Sequence, residues 1–280
     1  MRLKGVRRSA NVDDRRRMGG GGAIGGLGIG GVLLVLAIGY FTGIDVTPLL
    51  TDSSGTQGAQ VERELTPEEE AAGDFTMRVL ATTEDVWRQK LPDQAGIEYT
   101  PPQLVLFSGR TQSPCGDASG ATGPFYCPID SRAYIDTAFF AMLAQRLGAQ
   151  GDFAAAYVVA HEVAHHVQNE LGIQGKVNQM RQAASQTQAN AITVRLELQA
   201  DCLSGVWASG VEGLLEPGDV QEALNAARQI GDDTLQRNAG QVPQPHTFTH
   251  GTAEQRSSWF ARGYESGDIN SCDTFRAQDI

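Results

Sequence analysis

The sequence has no C-x-x-C pair, no internal repeat, no excess of positive charge and, from Gly19 to Ile44, no charged residue at all. Each absence excludes something. Without closely spaced cysteines, a cysteine-based zinc finger or ribbon has no ligand set. A formal net charge of -11 argues against nucleic acid as a partner, because phosphate contacts need clustered Lys and Arg. The four cysteines present, Cys115, Cys127, Cys202 and Cys272, read instead as two disulfides formed in an oxidising compartment. Cys115 with Cys127 is the natural local pair, closing a loop that holds Gly116, Gly120, Gly123 and Pro124. Cys202 and Cys272 then pair by elimination and tie the tail to the core.

The uncharged stretch has a direction. Arg2, Lys4, Arg7, Arg8, Arg15, Arg16 and Arg17 precede it against Asp13 and Asp14, about +5 in sum, and the rest of the chain carries about -16. Its densest apolar part is Gly31–Phe41, and counting from Ala23 about 22 residues at 1.5 Å each span a bilayer core. Positive charge ahead of the span and Asp45 after it place the N-terminus in the cytoplasm and the body outside, as a single-pass membrane protein. A cleaved signal peptide is the rival, but Asp45–Leu50 offers no good small-x-small cleavage site. The expected organisation is therefore a cytoplasmic basic segment (1–22), a transmembrane anchor (23–44), a flexible Thr/Ser/Gly/Gln-rich linker (45–65) and one body (66–280). The chain's 280 residues, 41% of them hydrophobic, suffice for one sizeable catalytic domain with appendages, or for two small ones.

Within the body, Thr66-Pro67-Glu68-Glu69 is a helix start with a capping box, leading a helix to about Leu91. Gln103–Phe107 and Arg132–Asp136 read as strands, and the second, lying shortly ahead of the histidine-bearing helix, is either an ordinary internal strand or an edge for an extended peptide. Helices are expected over Phe139–Leu147, from Asp152 to near Gly172, over Ala191–Trp207, over Asp219–Ile230, and from the second capping box at Thr252 to Gly267. The polar segment 174–190 fits helix or loop, and 240–249 fits a loop carrying His246.

The helix from Asp152 contains His161-Glu162-Val163-Ala164-His165, an H-E-x-x-H string among alanines and valines. One turn apart, His161 and His165 share a face and can share an ion. Glu162, rotated about 100° from His161, can face water at that ion without being a ligand, the placement of a general base in zinc-dependent peptide hydrolysis. His166 is turned away and is read as a non-ligand. Two histidines leave a catalytic zinc one ligand short, and Glu197 supplies it: a carboxylate in an apolar helical segment is costly to bury unless it meets an ion. Asp201, one turn later, can accept the other N–H of a ligating imidazole, His161 above all. For the donor to an oxyanion the leading candidate is His250, followed by Tyr264 and Arg256. His246 stands four residues before His250, but Pro243 and Pro245 argue against a helix through it and so against a second metal site.

His161-Glu162-x-x-His165 followed by Glu197-x-x-x-Asp201 resembles the gluzincin pattern of thermolysin-like peptidases. More broadly, the chain resembles the bacterial putative neutral zinc metallopeptidase family of membrane-anchored proteins. The likeness runs through the basic start, the Gly-rich anchor, Gly123–Pro128, His161–Gln168, Leu196–Trp207, His250–Arg256 and Cys272–Phe275. The resemblance implies zinc, peptidase activity and a peptide or protein substrate. The expectation is an α+β, zincin-like, mainly helical metallopeptidase domain with a small sheet, preceded by one transmembrane helix. An extracytoplasmic interaction module with little hydrolysis is the alternative; the unmatched Glu162 beside a complete ligand set favours the enzyme.

Overall fold

The computed structural model describes residues 1–17, 63–119, 123–145, 148–149, 151–278 and 280. Contacts divide the chain into two compact units, one of Met1–Arg15 with Leu65–Ile280 and one of Arg16–Glu64. The span expected at 23–44 and most of the linker expected at 45–65 lie outside the described residues. Among those described, no helix is long and apolar enough to cross a membrane.

The larger unit is α+β, mostly helical with two small sheets. It begins where the sequence reading set a separate basic segment. Strand β1 (Val12–Asp14) pairs in parallel with β2 (Gln103–Phe107), placing Val12 beside Leu104 and Asp14 beside Leu106. Met1 and Leu3 are buried in the core. The basic start is held by acids of the body rather than standing apart. Helix α1 (Pro67–Ala95) presents Glu84, almost wholly buried, to the Ser9 hydroxyl, to Asn11 Nδ2 at 2.8 Å and to Arg7 at 2.8 Å. The Thr66 capping box forms in both directions. The helix runs past Leu91, with Pro92 inside it, and stops at Gly96, whose φ of 68° suits glycine.

The main sheet has the order β1-β2-β6-β5, with β2 parallel to β6 (Arg132–Asp136) and β5 (Phe125–Cys127) antiparallel to β6. Thus β6 is internal and β5 takes the edge. The two-residue period of a strand sorts the side chains. Leu104, Leu106, Ala133 and Ile135 enter the large core shared with the helices, while Val105, Phe107, Tyr134 and Cys127 form a smaller cluster with Ala118. The hairpin β3 (Arg110–Ser113) and β4 (Gly116–Ser119) is tied to β5 by the Cys115–Cys127 disulfide.

Seven helices complete the described chain: α2 (Ala138–Gln145), α3 (Asp152–Glu170), α4 (Ile173–Gln182), α5 (Gln186–Gly210), α6 (Asp219–Gln229), α7 (Asp232–Asn238) and α8 (Ala253–Ser266). The segment read as helix or loop is both, since α4 ends before a break and α5 starts on a Ser185–Gln188 capping box. Helix α3 is buried on all sides from Ala156 to Gln168. Helices α5 and α8 cross at backbone distance. A Cβ on Gly205 would lie 2.1 Å from the Phe260 carbonyl oxygen, and one on Gly263 would lie 1.8 Å from that of Cys202. Cys202–Cys272 pins the tail to the same stretch of α5. Both expected disulfides are therefore present.

Glu84 also sets a pH dependence. Burial pushes its carboxyl up, but the bonds from Ser9, Asn11 and Arg7 outweigh burial and hold it below its ordinary 4.5. A carboxyl lowered in the folded state stabilises above the unfolded value and loses that contribution as pH falls below it. Docking of the N-terminal strand is thus expected to be complete above about pH 5 and to weaken below 4.5. Glu84→Gln, at a cost of about 2–3 kcal/mol in charge-assisted bonds, should loosen it at neutral pH. Faster amide exchange at Val12–Asp14 in the variant is the expected result; unchanged exchange would count against Glu84 as the anchor.

Candidate metal centre

Helix α3 carries His161 and His165 into a cleft of about 570 Å³, and α5 carries Glu197 to meet them. His161 Nε2 lies 3.1 Å from Glu197 Oε2 and His165 Nε2 lies 3.4 Å from Glu197 Oε1. A tetrahedral zinc with bonds of about 2.0–2.1 Å needs donors about 3.3 Å apart, close to both contacts made by Glu197. Among the described residues, one donor from each of the three comes within 4.8 Å of the others. Two neutral nitrogens and one carboxylate also suit zinc chemically, and the cleft leaves a side open.

Charge at the trio favours a cation. Burial raises the Glu197 carboxyl, but His165 and His161 outweigh it and bring it well below its usual range. Burial lowers the His161 imidazole, yet Asp201 and Glu197 together push it up to about 10. The same carboxylates that attract a proton to this ring attract a metal ion in its place.

Behind His161, Asp201 is fully buried with its Oδ1 2.9 Å from Nδ1 of the ring. Nδ1 makes no hydrogen bond at that distance, so this is a close charge contact. Asp201 also accepts from the Tyr157 hydroxyl and, through both oxygens, from Arg256 at 2.9 and 3.0 Å. Arg256 comes from α8, brought inward by the close crossing at Gly205 and Gly263. Nη2 also donates to Tyr157 Oη, and Nη1 donates to the Ile230 carbonyl.

Glu162 lines the cleft beside the trio, and burial is the first cause of its raised carboxyl pKa. His250 lines the same cleft and keeps half its side chain exposed. Its Nδ1 lies 3.2 Å from Asp232 Oδ1, and the backbone N–H groups of Thr249, His250 and Gly251 all donate to Asp232 Oδ2. Of the other two oxyanion candidates, Arg256 reaches the cleft with Nε and Nη2 committed to Asp201 and Tyr157, and Tyr264 packs against the core. His246 sits in an exposed turn, where its carbonyl accepts from Asn190. His166 points away from the trio, its Nε2 2.6 Å from the Thr100 carbonyl and its Nδ1 3.0 Å from the Tyr126 hydroxyl.

Sequence reasoning missed Asp232, Tyr157 and the glutamines behind His165. Asp232 starts a short helix in a polar stretch, eighteen residues before the histidine it holds, and nothing local marks the pair. A second acidic group, Asp152, Asp219 and Glu222, lies elsewhere; Asp152 and Asp219 neutralise the Met1 ammonium at 2.8 and 3.2 Å.

Comparison with known proteins implies the same metal, zinc. A family model described as putative neutral zinc metallopeptidase matches residues 1–275. The chain is 48% identical to the uncharacterized protein YpfJ of Escherichia coli K12, over 98% of this chain and 99% of that one. It is 46% identical to the uncharacterized protein Mb2605 of Mycobacterium bovis and to the uncharacterized protein Rv2575 of Mycobacterium tuberculosis, over 72% of this chain and 71% of each of those. No solved structure matches the chain.

Glu197→Ala should release zinc, costing more than the roughly 10–100-fold in affinity typical of losing an outer partner. Metal analysis after dialysis checks this, and a variant still holding one zinc per chain would move the third ligand elsewhere, first to Asp201.

Proposed function

We propose that this chain, which belongs to the putative neutral zinc metallopeptidase family, hydrolyses peptide bonds with zinc held by His161, His165 and Glu197. The observation that carries the reading is Glu162, a buried carboxylate opening into the cleft beside three convergent donors. A structural zinc site has its coordination closed by protein and needs no base next to it.

Bound there, zinc supplies Lewis acidity, polarising a scissile carbonyl and easing deprotonation of water. Glu162 takes the proton of the attacking water and later delivers it to the leaving amine. A carboxyl raised by burial suits this work, because a base must also give the proton back. Asp201, fixed by Arg256, orients His161. His250, with Nδ1–H held by Asp232, would serve the oxyanion of the tetrahedral intermediate as a doubly protonated ring donating Nε2–H.

The substrate is an extended peptide. Strand β5 is the sheet edge, and its Phe125 and Tyr126 line the cleft. A peptide adding to that edge runs past the zinc donors with its side chains alternating between cleft and solvent. The layout of a histidine-bearing helix packed under a sheet with an antiparallel edge strand supports a zincin-like fold.

The apolar, uncharged composition of 23–44 supports a membrane anchor, and the two disulfides support a body outside the cytoplasm. Met1–Arg15 folds with residues 65–280 in one unit. Pairing of β1 with β2 favours an N-terminus on the same side as the body, which a single crossing by 23–44 does not allow while β1 stays docked. The opposite-side arrangement requires β1 to leave the sheet.

Purified zinc-loaded Glu162→Gln should keep its metal and lose peptide hydrolysis by about 10²–10⁴-fold. Turnover equal to the parent's on an unbiased peptide library would reject the assignment, and zinc binding without cleavage in the parent would favour an interaction module. His250→Ala should lower kcat by about 10²-fold with little change in KM. In cells, a membrane-impermeant maleimide should label Ala10→Cys from the side that carries the body; labelling only after permeabilisation would mean that β1 is undocked.

A further inference from the structure

Gln168 follows His165 by three residues on α3, and Gln199 faces it from α5. Gln168 is completely buried and Gln199 nearly so. The Gln168 amide donates to the Leu196 carbonyl at 2.7 Å and to Gln199 Oε1 at 3.1 Å. The Gln199 amide donates to the Cys272 carbonyl at 3.0 Å. Gln168 Oε1 stands 2.8 Å from His165 Nδ1.

Direction in this chain is decided at its far ends. A backbone carbonyl only accepts, so the Leu196 and Cys272 oxygens each demand an amide N–H. That fixes which end of each carboxamide is nitrogen, and both amide hydrogens of Gln168 are then used. Its oxygen is left facing His165, so Nδ1 of that ring must carry the proton. Nε2 then has its lone pair free toward Glu197 and the metal.

We propose that Gln168 and Gln199 form a buried carboxamide relay that sets the tautomer and orientation of His165 for metal binding. The relay is anchored on a carbonyl that the Cys202–Cys272 disulfide holds in place. The inference rests on the zinc site proposed above. Core filling alone does not account for it. A methionine of similar volume fills such space without a polar group, whereas buried amides are costly unless every partner is met. The two imidazoles are thus supported differently: His161 by a carboxylate locked to an arginine, His165 by neutral amides ending on backbone.

The test uses the full chain loaded with zinc, and reads zinc affinity by chelator competition. Gln168→Met removes the acceptor opposite Nδ1 and should weaken zinc binding by about 10–100-fold. Gln168→Glu loses the same two donor bonds but keeps an acceptor at Nδ1, so its affinity should stay near the parent's. Gln199→Met, one step further out, should fall between them. In the parent, ¹⁵N-edited NMR should show the His165 Nδ1 proton shifted downfield, as a hydrogen bond to Gln168 Oε1 requires.

The relay is overturned if Gln168→Met binds zinc like the parent, or if the Met and Glu variants lose affinity equally, as a purely structural role requires. A His165 Nδ1 proton in the parent without the downfield shift of a hydrogen bond overturns it too, and that measurement stands even if a variant fails to fold. A parent that shows the ranking but cleaves no peptide removes the hydrolase reading and leaves the relay. One that cleaves peptides without the ranking removes the relay alone, and a parent that binds no zinc removes both.

Discussion

The constraint on which the rest depends is a carboxylate placed where no water reaches it. Asp201 has no exposed surface, and three elements converge on it: Tyr157 and His161 from α3, Arg256 from α8, and its own helix α5. An isolated charge there would cost several kcal/mol, and removing one partner of such a pair costs about 3–5 kcal/mol. Burial and the Arg256 charge act in opposite directions on its carboxyl, and the favourable contacts win. The helices cannot separate without exposing or orphaning that charge. The junction that holds the core together is therefore the same one that aims His161.

That economy explains the glycines. Gly205 and Gly263 bring α5 and α8 to backbone contact, and from α8 Arg256 reaches Asp201 through Nε and Nη2. The Cys202–Cys272 disulfide fastens the residue next to Asp201 to the tail, which also ends the glutamine chain behind His165. On the opposite side, Cys115–Cys127 fastens the β3–β4 hairpin to the edge strand that borders the cleft. The donor trio is thus held from behind by charge and amide contacts and bordered in front by a sheet edge. One side stays open, which is what separates a reactive zinc site from a structural one.

Local sequence carried a large part of this. Alternation and continuous apolar runs marked β2 and β6, and capping boxes at Thr66 and Thr252 marked α1 and α8, because these signals act within a few residues. The same kind of box at Ser185–Gln188 was there to be read and opens α5. Strand β1 gave no such signal. Three residues, Val-Asp-Asp, become a strand only because β2 offers its edge and Glu84 collects Ser9, Asn11 and Arg7.

What the sequence determined by itself was the chemistry carried by two helices. The spacing of His161 and His165 follows from 3.6 residues per turn, and a lone carboxylate among apolar neighbours marked Glu197, because burial without a partner is too costly. Only the tertiary structure decided which groups stand behind and across from them. Arg256, Asp232, Gln168 and Gln199 are ordinary residues in the string. Their roles arise from contacts between elements distant in the chain, through distances and orientations that no local spacing encodes.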